Sequence, residues 1–110
     1  MTKNISYVVE VEGIIVGFGD MTCTGHIERV YVHPKYQGQG VARALMRKFE
    51  DEAKKLGLPK LTADASVIAM PLLKRFGYEI VQKYCKTHRG VDFINYLMQK
   101  QLNKKSGRDI

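Results

Sequence analysis

The first third of the chain has the residue pattern of three consecutive strands. β-Prone residues dominate 7–11 and 14–21, and the Glu-Gly pair between these segments has the chemistry of a tight turn. Together they predict a β-hairpin, in which Gly17 and Gly19 weaken or bulge the second strand. Residues 26–32 are rich in β-branched and aromatic side chains, so we expect a third antiparallel strand that ends at a His-Pro pair.

The pattern then changes to helical spacing. Apolar residues recur every three or four positions from Ala42 to Leu56, which predicts an amphipathic helix over 39–56. Its opposite side carries acidic and basic residues four positions apart, as a solvated helix surface does. Gly57, followed closely by a proline, marks the end of the helix.

The remaining segments predict a strand, a short helix and a second hairpin. Residues 61–65 form the strand, and the helix has to begin between residues 68 and 70 because Pro71 fits only in a first helical turn. The segments 79–87 and 92–98 then predict two strands joined by an Arg-Gly turn. We therefore expect an α/β (α+β) fold with a mixed, mostly antiparallel sheet and two helices.

Length and charge constrain the interpretation further. The 110 residues suit a single domain, assigned to 1–102, followed by a polar, basic and flexible tail over 103–110. The net charge of +7 is concentrated beyond Leu73, where the chain carries +6. Such a field attracts nucleic acid, a membrane surface or a phosphorylated small molecule, and charge alone does not choose among them.

Cysteine content and hydropathy narrow the cellular context. Cys23 and Cys85 lack metal-ligand spacing, so we expect two reduced, packed thiols and no metal site. No apolar run reaches about 18 residues, and the first residues lack the features of a signal peptide. These observations predict a cytoplasmic protein that does not enter membranes.

The segment most informative about chemistry lies between the third strand and the long helix. Its two glycines, Gly38 and Gly40, let the main chain approach a ligand closely, and the unpaired amides of the next helical turn suit a phosphate. A Walker loop is excluded because no Gly-Lys-Ser/Thr follows. A dinucleotide fingerprint is excluded because Arg43 occupies the place of its third small residue.

This segment resembles a known family signature. The pattern Gln37-x-x-Gly40-x-Ala42 is similar to the Gln/Arg-x-x-Gly-x-Gly/Ala motif of the GCN5-related N-acetyltransferase (GNAT) superfamily. Residues 25–28 and 36–40 look like glucosamine-phosphate acetyltransferases, whereas 66–78 and 89–96 look more like small bacterial acetyltransferases of unassigned substrate.

The resemblance implies acetyl-CoA as acetyl donor. It implies that main-chain amides hold the pyrophosphate and that the preceding strand pairs with the pantetheine arm through Val30 and Val32. Arg43 is either a further charge near the phosphates or an ordinary helix-surface arginine. The residues implied for the pyrophosphate are Gln37, Gly38, Gln39, Gly40, Val41 and Ala42.

Two departures from the family pattern stand out. The chain begins at what would be the second strand of the family fold, so it is either a fragment or a short form that closes its core as a homodimer. Leu73 occupies the position where many members have a tyrosine that protonates the leaving thiolate. Tyr78 and Tyr84 are weaker substitutes, since a strand tyrosine usually serves packing.

Acetyl transfer to an amine requires a neutral amine, and Glu28 is the favoured base, with a solvated or ion-paired strand residue as its alternative interpretation. Strand alternation predicts that His26, Glu28, Val30 and Val32 share one face. His26 is interpreted as structural. Asp64 is an alternative base or amine anchor, or else a turn acceptor before the second helix.

The function expected from these residues is acetyl-CoA-dependent N-acetylation of a small-molecule amine or a peptide by direct attack. A non-catalytic CoA-binding or dimerisation module of the same fold is the alternative, motivated by Leu73 and by the missing first elements. Nucleic-acid binding is disfavoured because the basic region lacks an interleaved aromatic stripe.

Overall fold

A computed structural model describes residues 4–102, which form one six-stranded mixed sheet and two helices. The strand order is β1-β2-β3-β4-β6-β5, and all neighbours are antiparallel except β3 and β4. This arrangement confirms the predicted fold class; the predicted tail over 103–110 lies outside the described residues. The elements are β1 (Asn4–Val11), β2 (Ile14–Thr22), β3 (His26–Val32), α1 (Val41–Lys55), β4 (Lys60–Ser66), α2 (Met70–Arg75), β5 (Glu79–His88) and β6 (Val91–Gln101), with a 3-10 turn at Pro34–Tyr36.

The hydrophobic core lies between α1 and one face of the sheet. Leu45 and Phe49 of α1 are almost completely buried, as is Met21 of β2. A Cβ atom on Gly19 would lie 3.0 Å from Phe49 Cζ, and one on Gly17 would lie 2.5 Å from a methyl group of Val41. The two glycines therefore bring the helix close to the sheet, and the predicted bulge occurs beside them, where the β1–β2 register shifts.

The second helix is anchored beside the first. It begins at Met70 with Pro71 in its first turn, as predicted. The Lys100 ammonium group on β6 lies 2.8 Å from a carboxylate oxygen of Glu50 on α1 and donates to the carbonyl of Phe76, just after α2. One partly buried cation thus connects the two helices with the sheet.

The opposite face of the sheet, here called the open face, carries exposed apolar side chains. Val8, Phe18 and Tyr31 are direct cross-strand neighbours on β1, β2 and β3. Val8 is 58% exposed and Tyr31 is 46% exposed. This row contrasts with the other face of the same strands, where α1 covers the core.

The prediction that both cysteines are packed is wrong. Cys23 and Cys85 are free thiols, as expected, but both are exposed. Cys23 lies in the turn between β2 and β3, and Cys85 lies on the edge strand β5, where no other element of residues 4–102 covers it. Within those residues, no helix has the length and apolar character needed to cross a membrane.

Candidate active site

A cleft opens where the two parallel strands of the sheet separate. β3 and β4 pair only at His26–Thr62 and Ile27–Ala63, and they diverge beyond that point. The resulting cavity has a volume of about 1080 Å³ and runs from the β3–β4 junction to the start of α1. A cavity of this size lies at the upper end of the range for small-molecule sites.

One end of the cleft is formed by the loop Gln37–Gly40 and the first turn of α1. Gly38 and Gly40 have φ angles of 81° and 85°, in the left-handed region that favours glycine. No side chain caps the helix and no acidic residue lies in its first turn. The first helical hydrogen bond is donated by Ala44 to Gly40. The amides of the preceding residues are therefore unpaired within the helix and suit an anion.

The segment before this loop is held in place by His33. The His33 amide donates to the carbonyl of Val16, and the His33 ring nitrogen Nδ1 accepts from the Lys35 amide at 3.1 Å. The Tyr36 ring packs edge-on against the His33 ring. The Gln39 side chain then donates to the carbonyl of Lys35. These bonds fix the entry to the loop.

Arg43 lies between the two helices and lines the cleft. Its guanidinium carbon lies 5.5 Å from the centroid of the Phe76 ring, so the side chain is stacked across the gap between the two helices. Arg43 also lines the cleft, together with Arg75 of α2. The loop end of the cleft is therefore basic.

The prediction that His26, Glu28, Val30 and Val32 share one face is wrong, because β3 contains a bulge. Asp20 pairs with Arg29 and the next residue, Met21, pairs with Ile27, which leaves Glu28 as an extra residue. Val30 and Val32 pair with Gly19 and Gly17, which face α1, so their side chains point to the helix side.

Glu28 lies on the open face as a consequence of this bulge. Its Oε1 atom accepts a hydrogen bond of 2.8 Å from Asn4, a residue on the face opposite the core. Glu28 is exposed and lines the cleft where β3 leaves β4. Its carboxylate is thus at the narrow end of the cleft, opposite the basic loop end.

The main chain of β3 is available along the cleft. From Glu28 to Val32, the edge of β3 that faces β4 has no strand partner among residues 4–102. An extended ligand can therefore pair with this edge as an additional strand would. Val30 and Val32 both line the cleft and lie along this free edge.

Asp64 belongs to a hydrogen-bonded cluster that crosses the sheet. Its Oδ1 atom accepts 2.8 Å from the hydroxyl of Tyr84, and its Oδ2 atom lies 3.3 Å from His26 Nε2. His26 Nδ1 in turn lies 2.8 Å from the Thr62 hydroxyl. Asp64 is therefore not the turn acceptor before the second helix; Ser66 has that role, since its hydroxyl accepts from the amide of Ala69.

Tyr78 and Tyr84, the two tyrosines considered as substitutes for an acid at the Leu73 position, differ in their surroundings. Leu73 lines the cleft, where the family pattern has a tyrosine. The Tyr78 hydroxyl is buried without a hydrogen-bond partner among the described residues, and burial raises its pKa. The hydrogen bond from Tyr84 to Asp64 raises the pKa of Tyr84. Neither tyrosine is therefore a stronger acid than an ordinary tyrosine.

Sequence reasoning missed two features of the site. The Asp64 cluster joins residues from β3, β4 and β5, which are far apart in sequence, so no local pattern indicates it. The second feature is Arg29, whose guanidinium group holds the nearly buried Asp20 carboxylate at 2.6 Å beside the bulge. The hydrogen bond from Arg29 keeps the pKa of Asp20 below its usual range.

Known proteins share both the sequence pattern and the fold. A family model described as "Acetyltransferase (GNAT) domain" matches residues 1–100. The uncharacterized N-acetyltransferase YafP of Escherichia coli K12 is 35% identical over 77 residues, which are 67% of this chain and 46% of that protein.

Solved structures give the same result. A GCN5-related N-acetyltransferase from Rhodopseudomonas palustris superposes with a TM-score of 0.85 at 31% identity, covering 90% of this chain and 62% of that one. The yncA protein, a putative acetyltransferase from Salmonella typhimurium that was solved with acetyl-CoA, has the same fold. It superposes with a TM-score of 0.77 at 24% identity, covering 94% of this chain and 68% of that one.

The chain spans about half the length of YafP and less than two thirds of the Rhodopseudomonas protein. The match to the family model nevertheless extends over nearly all of its residues, and the divergent parallel strands with a glycine loop at the start of α1 agree with it. The chain belongs to the GCN5-related N-acetyltransferase (GNAT) family.

Proposed function

We propose that this protein transfers the acetyl group of acetyl-CoA directly to an amine. The observation that carries the proposal is the cleft, which joins an uncapped helix start at one end to a free strand edge and two carboxylates at the other. The Salmonella protein of the same fold was solved with acetyl-CoA, which supports the same donor here.

The donor's phosphates fit the loop end of the cleft. The main-chain amides of Gln37, Gly38, Gln39, Gly40, Val41 and Ala42 would surround the pyrophosphate. A Cβ on either glycine would meet no protein atom within 4 Å, so the space above the loop is open to a ligand. Arg43 adds a positive charge there.

The free edge of β3 would hold the pantetheine arm. Val30 and Val32 offer main-chain groups that no strand uses, and the amide groups of the arm match them as a β-strand would. This pairing directs the thioester towards the β3–β4 junction, where Glu28 lies.

In this proposal, acetyl transfer takes place at the β3–β4 junction. Acetyl-CoA supplies an acetyl group activated as a thioester. Glu28 takes a proton from the attacking amine, directly or through water, and a β3 main-chain amide polarises the thioester carbonyl. A new C–N bond forms, the C–S bond breaks, and the thiol has a reference pKa of about 8.5, so the thiolate leaves without an enzyme acid at the Leu73 position.

Calorimetry and thiol release test the proposal. We expect the protein to bind acetyl-CoA and to release CoA thiol in the presence of a panel of primary amines. Glu28→Gln is expected to lower turnover by about 10²-fold or more, with acetyl-CoA binding unchanged. Glu10→Gln, on the same sheet face but outside the cleft, is the control.

The outcomes separate the enzyme from a binding module. Uptake of acetyl-CoA without transfer to any amine of the panel would favour a non-catalytic CoA-binding module of the same fold. Absence of acetyl-CoA uptake by folded protein would refute both functions.

The open face supports a further proposal, that the chain acts as a homodimer. The exposed Val8 and Tyr31 and the half-buried Phe18 between them form a continuous apolar strip across three strands, and burial against a second copy would remove it from water. Sedimentation analysis is expected to show a dimer that Phe18→Lys converts to a monomer. A wild-type monomer at high concentration would refute this proposal.

A further inference from the structure

The carboxylate of Asp64 is fixed from two sides. Tyr84 donates to one oxygen at 2.8 Å, and His26 Nε2 lies 3.3 Å from the other. The Thr62 hydroxyl, 2.8 Å from His26 Nδ1, can donate to that nitrogen, which fits the tautomer with the proton on Nε2. Asp64 thus has a neighbour at each oxygen, the donating Tyr84 hydroxyl at one and the His26 ring nitrogen at the other, and these contacts restrict its rotation.

Asp64 still has the capacity to bind a ligand. Its side chain is 42% exposed and it lines the cleft. Each carboxylate oxygen has a second acceptor site besides the one used by Tyr84 or His26. A donor in the cleft can therefore bind Asp64 without displacing either neighbour, and a cationic donor gives the strongest hydrogen bond.

The junction end of the cleft is acidic, although the chain as a whole carries +7. Glu28 and Asp64 both line it, and Arg29, the nearby cation, is bonded to Asp20. Arg43 and Arg75 line the opposite end. The cleft thus has an anion-binding end and a cation-binding end.

The Glu28 and Asp64 carboxylates differ in how many neighbouring groups hold them in place, which favours a different role for each. Glu28 has one side-chain hydrogen bond, from Asn4, and suits proton acceptance. Among the described residues, Asp64 accepts a hydrogen bond from Tyr84 at one oxygen and has His26 Nε2 at 3.3 Å from the other, and it suits a fixed anchor. An acceptor with a single amine becomes neutral before it attacks, so it has no cationic group left to pair with the Asp64 carboxylate.

We infer that the acceptor carries a second cationic nitrogen besides the amine that reacts. Asp64 binds this second nitrogen, and His26 and Tyr84 are positioning residues that hold the Asp64 carboxylate towards the cleft. The inference rests on the proposed acetyl transfer and specifies its substrate class, a diamine or an amine with a neighbouring cationic group.

Three amines with the same four-carbon chain test the inference. Acetyl transfer is measured with 1,4-diaminobutane, 4-amino-1-butanol and 1-aminobutane. The wild-type protein is expected to prefer the diamine by about tenfold or more in kcat/KM, the equivalent of one charge-assisted contact. Asp64→Asn is expected to abolish the preference, chiefly through KM for the diamine.

The roles of the two positioning residues, His26 and Tyr84, are tested through the diamine preference. Tyr84→Phe and His26→Gln are expected to reduce the diamine preference by a few fold, measured as the ratio of kcat/KM for 1,4-diaminobutane to kcat/KM for 1-aminobutane. Because the preference is a ratio measured on one sample, partial misfolding of a variant cancels from it. Asp92→Asn, which removes a carboxylate bonded to Thr87 at the β5–β6 turn, is the control.

Equal use of the three amines by the wild-type protein, or an unchanged preference in Asp64→Asn, would overturn the inference while the proposed acetyl transfer stands. Acetyl-CoA binding without transfer to any of the three amines would also overturn it. A failure of acetyl-CoA to bind is a failure of the proposed function and is seen separately by calorimetry.

Discussion

Replacement of Gly40 by alanine tests the phosphate assignment most directly. Gly40 has φ of 85°, and an L-residue in this region costs about 1–2 kcal/mol. A Cβ at this position meets no protein atom within 4 Å, so the loss of stability is expected to come from the backbone alone. For a domain of this size, each kcal/mol corresponds to a decrease in Tm of about 4–8 °C.

Gly57→Ala is the matched control for this variant. Gly57 follows the other end of α1, has φ of 75°, and its Cβ would also meet nothing within 4 Å. The two variants are therefore expected to lose similar stability. Only Gly40→Ala is expected to lose affinity for CoA, by about 10- to 100-fold, since one or more charge-assisted contacts of about 1.5–3 kcal/mol are lost.

Calorimetric titration with CoA, at a temperature where both variants remain folded, gives the two affinities. Equal CoA affinity in the Gly40 and Gly57 variants would refute the assignment of the loop to the pyrophosphate. A much smaller loss of stability in either variant would refute the backbone reasoning instead.

Three further predictions concern stability. Phe49→Ala is expected to lower the free energy of unfolding by about 3–5 kcal/mol in urea titrations, because Phe49 is fully buried; a loss below about 2 kcal/mol would contradict its central place in the core. Gly19→Ala is expected to cost about 1–3 kcal/mol in the same assay, because its Cβ would lie 2.9 Å from the Arg29 carbonyl oxygen; unchanged stability would show that the sheet and α1 have room to separate. The pKa of Asp20 is lowered by Arg29, so its contribution is present above the ordinary carboxyl pKa of about 4 and is lost as the pH falls through the lowered value. Asp20→Asn should therefore differ most from the wild type at neutral pH and converge with it in acid; a constant difference across pH would contradict the ion pair.

Local patterns predicted most of the elements because each signal lies within one segment. Helical spacing located α1, and the proline rule predicted a start of α2 between residues 68 and 70, a range that includes the observed Met70. The turn residues between β1 and β2 and between β5 and β6 correctly marked two hairpins. Gly17 and Gly19 correctly indicated the irregular part of β2. The structure shows a more direct reason for these glycines, because α1 approaches β2 too closely for a Cβ atom at either position.

The candidate site was less accessible to sequence reasoning because it depends on pairing between distant segments. Alternation fails at Glu28, since the bulge in β3 arises from its register with β2. The Asp64 cluster requires the insertion of β6 between β4 and β5, which brings Tyr84 within reach of a residue 20 positions earlier. Neither feature has a counterpart in the spacing of residues along one segment.

The position of β6 has a consequence for how the molecule assembles during synthesis. The strands β1 to β3 and α1 are contiguous in the chain, and their contacts can form as soon as they leave the ribosome. β5 joins the sheet only through β6, and β4 is linked to β3 by just two residue pairs. The contact between Asp64 and Tyr84 therefore requires β6, which is synthesised after both residues, whereas the loop Gln37–Gly40 and α1 are already complete at that stage.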